Sequence, residues 1–137
     1  MYFTPHIAFN GNCTEAIELY ERAFGAKADQ VVYYKDAPQE EGYELAPEAE
    51  KLVMHAALEI ERGQLYLCDY PPGEKAVWGT GMGITAEFET AEQVASVFKV
   101  LAEGGSVEME PRKVFWCSYF GSLTDKFGIN WSIGTVE

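Results

Sequence analysis

Six side chains carry the chemistry this sequence offers a ligand: His6, His55, Cys68, Trp116, Tyr119 and Trp131. An imidazole donates, accepts or ligates, and a thiol attacks carbon only beside a base and an activating field. The chain holds two histidines and three cysteines, Cys13, Cys68 and Cys117, with no Cys–His pair adjoining in sequence. The cysteines therefore read first as small buried residues. Their number is odd and none forms a CxxC pair, so neither a disulfide framework nor a zinc knuckle is indicated. His55, in VMHAALEI, reads first as a core or dimer-interface ring. His6, after Pro5, stands evenly between pocket lining and packing. Asp69 opens DYPPG and reads as the cap of the following turn, and Asp125 in TDKFG reads as a hairpin-turn residue.

The aromatic candidates lie in FWCSYFGSLTDKFGINWSI, residues 115–133. Strand alternation puts Phe115, Cys117 and Tyr119 on one face and Trp116, Ser118 and Phe120 on the other. One face must meet a helix, and the other lines a cleft or a partner chain. There is no Ser-His-Asp set, P-loop or paired-carboxylate arrangement. The run WGTGMG, residues 78–83, has three alternate glycines, but it follows a loop and precedes the strand pattern ITAEFE. A nucleotide-type glycine loop needs a helix after it, so a linker is expected and a methyltransferase role is not.

These side chains are positioned by an internal repeat. In CTEAIELYERAFGA the apolar residues Ala16, Leu19, Tyr20 and Ala23 recur at helical spacing, with Asn12 or Thr14 as N-cap and Gly25 as stop. In TAEQVASVFKVLAEGG the residues Val94, Val97, Phe98 and Leu101 repeat the pattern at an offset of 78, with Thr90 as cap and Gly104-Gly105 as end. The strands behind them match at an offset of 65, which sets Leu58 on Leu123, Gly63 on Gly128 and Tyr66 on Trp131. The change of 13 residues points to an insertion in the first half. The acidic, two-proline stretch at residues 35–51 is where it belongs, read as a solvated loop. Strands are expected near 2–9, 28–34, 53–60 and 64–70, and again near 83–89, 106–113, 116–124 and 129–134. The hairpins at Arg62-Gly63 and Phe127-Gly128 place glycine where a positive φ is expected. The fold class is thus α+β: two tandem βαβββ modules, 1–74 and 83–137 with a linker at 75–82, forming curved mixed sheets around a cleft.

Net charge is −12, from 22 acidic and 10 basic residues, which repels phosphate backbones, so nucleic acid is not an expected partner. The first residues, MYFTPHIAFNGN, contain neither a basic leader nor a long apolar run, so no membrane association is expected and the cytoplasm is the default location.

Two such modules, with PHIAFNGNCTEAIELYERAFGA, VMHAALEI, LCDYPPG and VFWCSYFGSLTDKFGINW in that order, resemble the vicinal oxygen chelate superfamily of glyoxalases, bleomycin-resistance proteins and dioxygenases. Within it they look most like the PhnB-like group. The resemblance implies the glyoxalase/bleomycin-resistance fold and a homodimer. Metalloenzymes of the superfamily place His, Glu or Gln at four inward strand positions, which match Pro5, Cys68, Gly83 and Ser132 here. None of these is a strong hard-metal ligand. A slip of one residue offers His6, Asp69, Met82 or Ile84, and Trp131 or Ile133, two ligands at best, so a divalent metal is disfavoured and no cofactor is expected. The expectation is a small-molecule binder with an aromatic-lined cleft. The alternatives are a metal-dependent lyase, isomerase or dioxygenase, and a dimeric scaffold with a closed cleft.

Overall fold

The computed structural model describes residues 1–38 and 44–137. The chain divides into two compact units, Met1–Val77 and Trp78–Glu137. The first holds β1 (His6–Phe9), α1 (Cys13–Phe24), β2 (Ala28–Tyr33), β3 (Val53–Ile60) and β4 (Gly63–Asp69). The second holds β5 (Ile84–Phe88), α2 (Ala91–Leu101), β6 (Ser106–Val114), β7 (Cys117–Thr124) and β8 (Asn130–Thr135). Each unit is one four-stranded sheet, ordered β1-β4-β3-β2 in one and β5-β8-β7-β6 in the other. In both, the first strand runs parallel to the last and the remaining pairings are antiparallel. This is the tandem βαβββ architecture read from the repeat. The part of the acidic loop at 39–43 lies outside the described residues, and its described ends form single turns of 3₁₀-helix at Tyr34–Asp36 and Pro47–Ala49.

Both helices form where the apolar spacing places them. Ala16, Leu19, Tyr20 and Ala23 are all buried in α1, and Val94, Val97, Phe98 and Leu101 in α2. Gly25 ends α1 in the left-handed region at φ +64, its N–H bonding the Glu21 carbonyl at 2.9 Å. Thr90 and Gln93 form a reciprocal capping box on α2. The start of α1 departs from expectation. Asn12 occupies the N-cap position, but its side chain makes no capping bond. Two N–H groups at this helix start are taken instead by Asp69, at the end of β4, whose Oδ1 accepts from Gly11, just before the cap, at 2.9 Å and from Cys13, the first helical residue, at 3.0 Å. Its Oδ2 accepts from the Val53 N–H at 3.0 Å. Asp69 is thus a long-range clasp rather than the cap of its own turn. Asp125 is the turn residue expected, accepting from Phe127 and Ile129 at 2.9 and 3.0 Å.

Two further expectations need correcting. The strand foreseen from residue 2 begins at His6. Pro5 has no N–H to continue the ladder, and only its carbonyl bonds, to the Tyr66 N–H at 2.9 Å. The second correction concerns the hairpins. Ile60 pairs with Gly63 across a two-residue turn in which Glu61, not Gly63, has positive φ, at 49°. Thr124 pairs with Asn130 across a longer turn, where Gly128 does have positive φ, at 93°. Leu58 pairs with Leu65, and Leu123 pairs with Trp131. The counterpart of Trp131 is therefore Leu65, not Tyr66. A shift of one residue moves a side chain to the other side of its sheet.

The glycine run at 79–83 leads into β5 and is tied down by Asn130, whose side-chain amide donates to the Gly79 and Met82 carbonyls at 3.0 and 2.9 Å. Asn10 clasps the other end of the linker. It donates to the Ala76 carbonyl at 3.1 Å and accepts from the Ala76 N–H at 2.8 Å.

Candidate functional site

Register decides which candidates meet. In the first sheet, Ile7, Leu67 and Ala56 lie side by side, and Leu58 adjoins Leu65. All five are buried, and α1 packs on the same two central strands, β3 and β4. Alternation turns the intervening residues to the opposite, helix-free side. There His6, Tyr66 and Ala57 form one row, and Ala8 and Cys68 the next. His55, two residues before Ala57, is on the same side, and its ring meets Tyr66 edge-on, with centroids 4.9 Å apart and planes at 67°. The first-module candidates His6, His55 and Cys68 therefore share one surface.

Tyr66 belongs with them, and the candidate set missed it. Its signal was the period of two from Cys68, obscured by the alignment that matched it to Trp131. The same parity puts His6, not Pro5, on the face that carries Cys68.

The surface grades from wet to dry. His6 is exposed because β1 is the sheet's edge strand, His55 and Tyr66 are half-buried, and Cys68 is only 6% exposed. Burial first, then the charge of Asp69, pushes the Cys68 thiol above its ordinary pKa. Burial, Asp69 and Cys68 push the Cys13 thiol up as well. At neutral pH Cys68 is thus a protonated, weakly polar group, not a thiolate nucleophile. Two imidazoles and a phenol supply hydrogen bonds around a floor of the small residues Ala8, Ala57 and Cys68. Such a surface suits a ligand with a flat apolar body and polar edges.

The donor set does not suit a hard divalent ion. A thiol sulfur is a soft donor ill matched to a hard ion, and the Asp69 carboxylate is consumed by three backbone N–H groups. Among the described residues, no three His, Cys, Asp or Glu side chains come together as a metal cluster.

The second-module candidates are dispersed. Trp116 sits in the β6–β7 turn, 50% exposed, edge-on to Phe115 at 4.8 Å and to Phe120 at 5.3 Å. Tyr119 is half-buried on β7, where its N–H bonds the Thr135 hydroxyl at 3.2 Å. Trp131 is 2% exposed and donates its indole N–H to Asp125 Oδ2 at 2.9 Å. It shares the helix-covered side with Leu123 and Gly121, and a Cβ on Gly121 would lie 2.8 Å from the Phe98 ring of α2. The helix-free side of this sheet bears a row of hydroxyls instead, with Thr85 beside Ser132 and Ser132 beside Ser122.

This fold, with its imidazole- and aromatic-bearing sheet face, is that of a known class. The chain belongs to the Glyoxalase/Bleomycin resistance protein/Dioxygenase superfamily, whose family model matches residues 4–133. Among individual proteins, it is 29% identical over 143 residues to Protein YjdN of Escherichia coli (strain K12), spanning 100% of this chain and 97% of that one. The crystal structure of PA1353 from Pseudomonas aeruginosa is similar at a TM-score of 0.85 and 29% identity, covering 98% of this chain and 97% of the other. The PhnB protein from Bacillus cereus shares the fold, with a TM-score of 0.80 at 22% identity, over 99% of this chain and 100% of that one.

Proposed function

We propose that this protein binds a small molecule on the helix-free side of its first sheet, without a strong divalent-metal site. The supporting observation is the shared face of His6, His55, Tyr66 and Cys68 on the side that α1 leaves uncovered. Rings set edge-on form a firm wall for stacking, and the imidazoles fix polar groups at its edge. Cys68, protonated and buried, contributes shape and a weak donor rather than covalent catalysis. The cytoplasm is its proposed location. All three cysteines are free thiols, and among the described residues no helix is long and apolar enough to cross a membrane. The acidic charge argues against nucleic acid as a partner.

The test is thermal-shift screening of the metal-free chain against planar heterocycles, aromatic acids and bleomycin, with His55→Ala and Tyr66→Ala alongside. The proposal expects a stabilising compound whose effect is lost in both variants. It is overturned if every active compound stabilises the variants equally. Purified protein that retains stoichiometric zinc, manganese, nickel or iron, with a turnover lost on chelation, would establish the metalloenzyme alternative instead.

A further inference from the structure

The helix-free side of the second sheet holds a group of oxygens that is one hydrogen short. The Thr124 hydroxyl has a single hydrogen and two acceptors in reach, Glu108 Oε1 at 2.6 Å and Asn130 Oδ1 at 2.9 Å. It serves one and leaves the other facing a lone pair. Turning the Asn130 amide over gives no relief. Its Nδ2 already donates to the Gly79 and Met82 carbonyls, at 3.0 and 2.9 Å, and a reversed amide would set oxygen against both. Glu108, while ionised, supplies no hydrogen either. Among the described residues it also has no cationic partner.

The backbone aims Glu108 at this point. Val107 pairs with Leu123 and Met109 with the next residue of β7, Ser122, so Glu108 is the extra residue of a bulge. Bulges re-aim side chains and recur beside functional sites. In the adjoining row Ser122 lies beside Ser132, and Ser132 beside Thr85. Among the described residues none of these three hydroxyls makes a hydrogen bond. Ser122 and Ser132 are half-buried, so each has lost part of its water without gaining a protein partner. One row further, the Phe120 ring lies against Gly134, where an added Cβ would stand 3.0 Å from it.

This side lacks hydrogen-bond donors that carry positive charge. A hard divalent ion such as calcium takes about six or more oxygens. Three side-chain oxygens stand here, and the nearby Gly79 and Met82 carbonyls are held by Asn130. A primary ammonium has three N–H donors and matches three acceptors. We propose that the second sheet binds a hydroxylated primary amine, of the amino alcohol or amino sugar class. Glu108, Thr124 and Asn130 hold its ammonium group, and Ser122, Ser132 and Thr85 meet its hydroxyls. Phe120 offers an apolar wall to the C–H face of a ring. The net charge of −12 favours the approach of a cation.

The test is titration of the full chain with glucosamine hydrochloride at matched ionic strength, followed by two-dimensional amide NMR. The signals of Ser122, Thr124, Asn130 and Ser132 should shift together, with a Kd of roughly 1 mM for a ligand of this size. Glucose has no ammonium and should bind at least about tenfold more weakly. Glu108→Gln removes the charge and offers Thr124 an N–H of its own, so it should weaken glucosamine at least about tenfold. Ser132→Ala should weaken it about threefold. The unshifted remainder of each spectrum confirms that the variant is folded. Equal affinity for glucose and glucosamine, a variant that binds as tightly as the wild type, or shifts confined to other residues would each overturn the proposal. Calcium chloride that moves the same signals at lower concentration than glucosamine would overturn it in favour of a metal ion. All four reporting amides lie in the second unit, so the result is separate from whether the first sheet binds a ligand.

Discussion

Replacing Asp69 by Asn should be among the costliest near-isosteric changes in this protein. Asp69 is 1% exposed, and its two oxygens accept three backbone N–H bonds of 2.9–3.0 Å, from Gly11, Cys13 and Val53. Asparagine keeps one oxygen. In its better orientation that oxygen still serves Gly11 and Cys13, while its NH₂ group faces the Val53 N–H, donor against donor. Leaving a buried donor unsatisfied costs about 1–3 kcal/mol. Two bonds that lose their charge assistance cost roughly 0.5–1 kcal/mol each. The sum is about 2–5 kcal/mol, which for a chain of this size lowers Tm by on the order of 7–18 °C. Urea denaturation gives the free energy. Amide hydrogen exchange gives the location, and protection should be lost first at Gly11, Cys13 and Val53. Asp69→Ala should cost at least as much, since no oxygen remains. An Asp69→Asn protein within about 1 kcal/mol of wild type would refute the clasp as an energetic element.

Gly25→Ala should cost about 1–2 kcal/mol from backbone strain alone, because φ is +64 and nothing lies within 4 Å of the new Cβ. Gly121→Ala should cost more, since its Cβ would stand 2.8 Å from the Phe98 ring and 2.9 Å from the Met109 carbonyl; chemical denaturation of the pair checks the order. Trp131→Phe should lose about 1–3 kcal/mol, because Asp125 Oδ2 loses its buried indole donor, and Tm measurement tests it. Alkylation of Cys68 by iodoacetamide, followed by peptide mass mapping, should show a rate that rises with pH to a midpoint above the free-thiol value of about 8.5. The sign for stability follows from a pKa raised on folding: the contribution is complete below the unfolded thiol's value and is lost as pH climbs above it. Cys68→Ser should reduce that alkaline decline and leave the part due to Cys13.

Spacing made the repeated elements legible, because Ala16 to Ala23 and Val94 to Leu101 each state a helix in four residues. Local turn chemistry was equally readable at Thr90, Gly25 and Asp125, while the Gln93 half of the capping box came only with the structure. Asp69 was not, because its partners Gly11 and Cys13 lie 58 and 56 residues away and only the folded chain brings them to it. The shared face of His6, His55 and Cys68 was half legible. Alternation along each strand is written in the sequence, but which parity faces the helix depends on cross-strand register. That is why Pro5 was set where His6 stands, and why Trp131 was matched to Tyr66. Trp131 is held by Asp125, six residues before it, a bond that needs the longer turn between them.

That longer turn has a consequence for how the two halves of a duplicated chain diverge. Strand β8 differs from β4 in sequence, and the longer turn also shifts its pairing by one residue relative to β4. Where β4 shows Tyr66 and Cys68 to its open side, β8 shows Ser132 and Gly134. A turn that shifts the pairing by one residue brings the other parity of the following strand to the open side, so turn length and strand sequence together decide what that side displays.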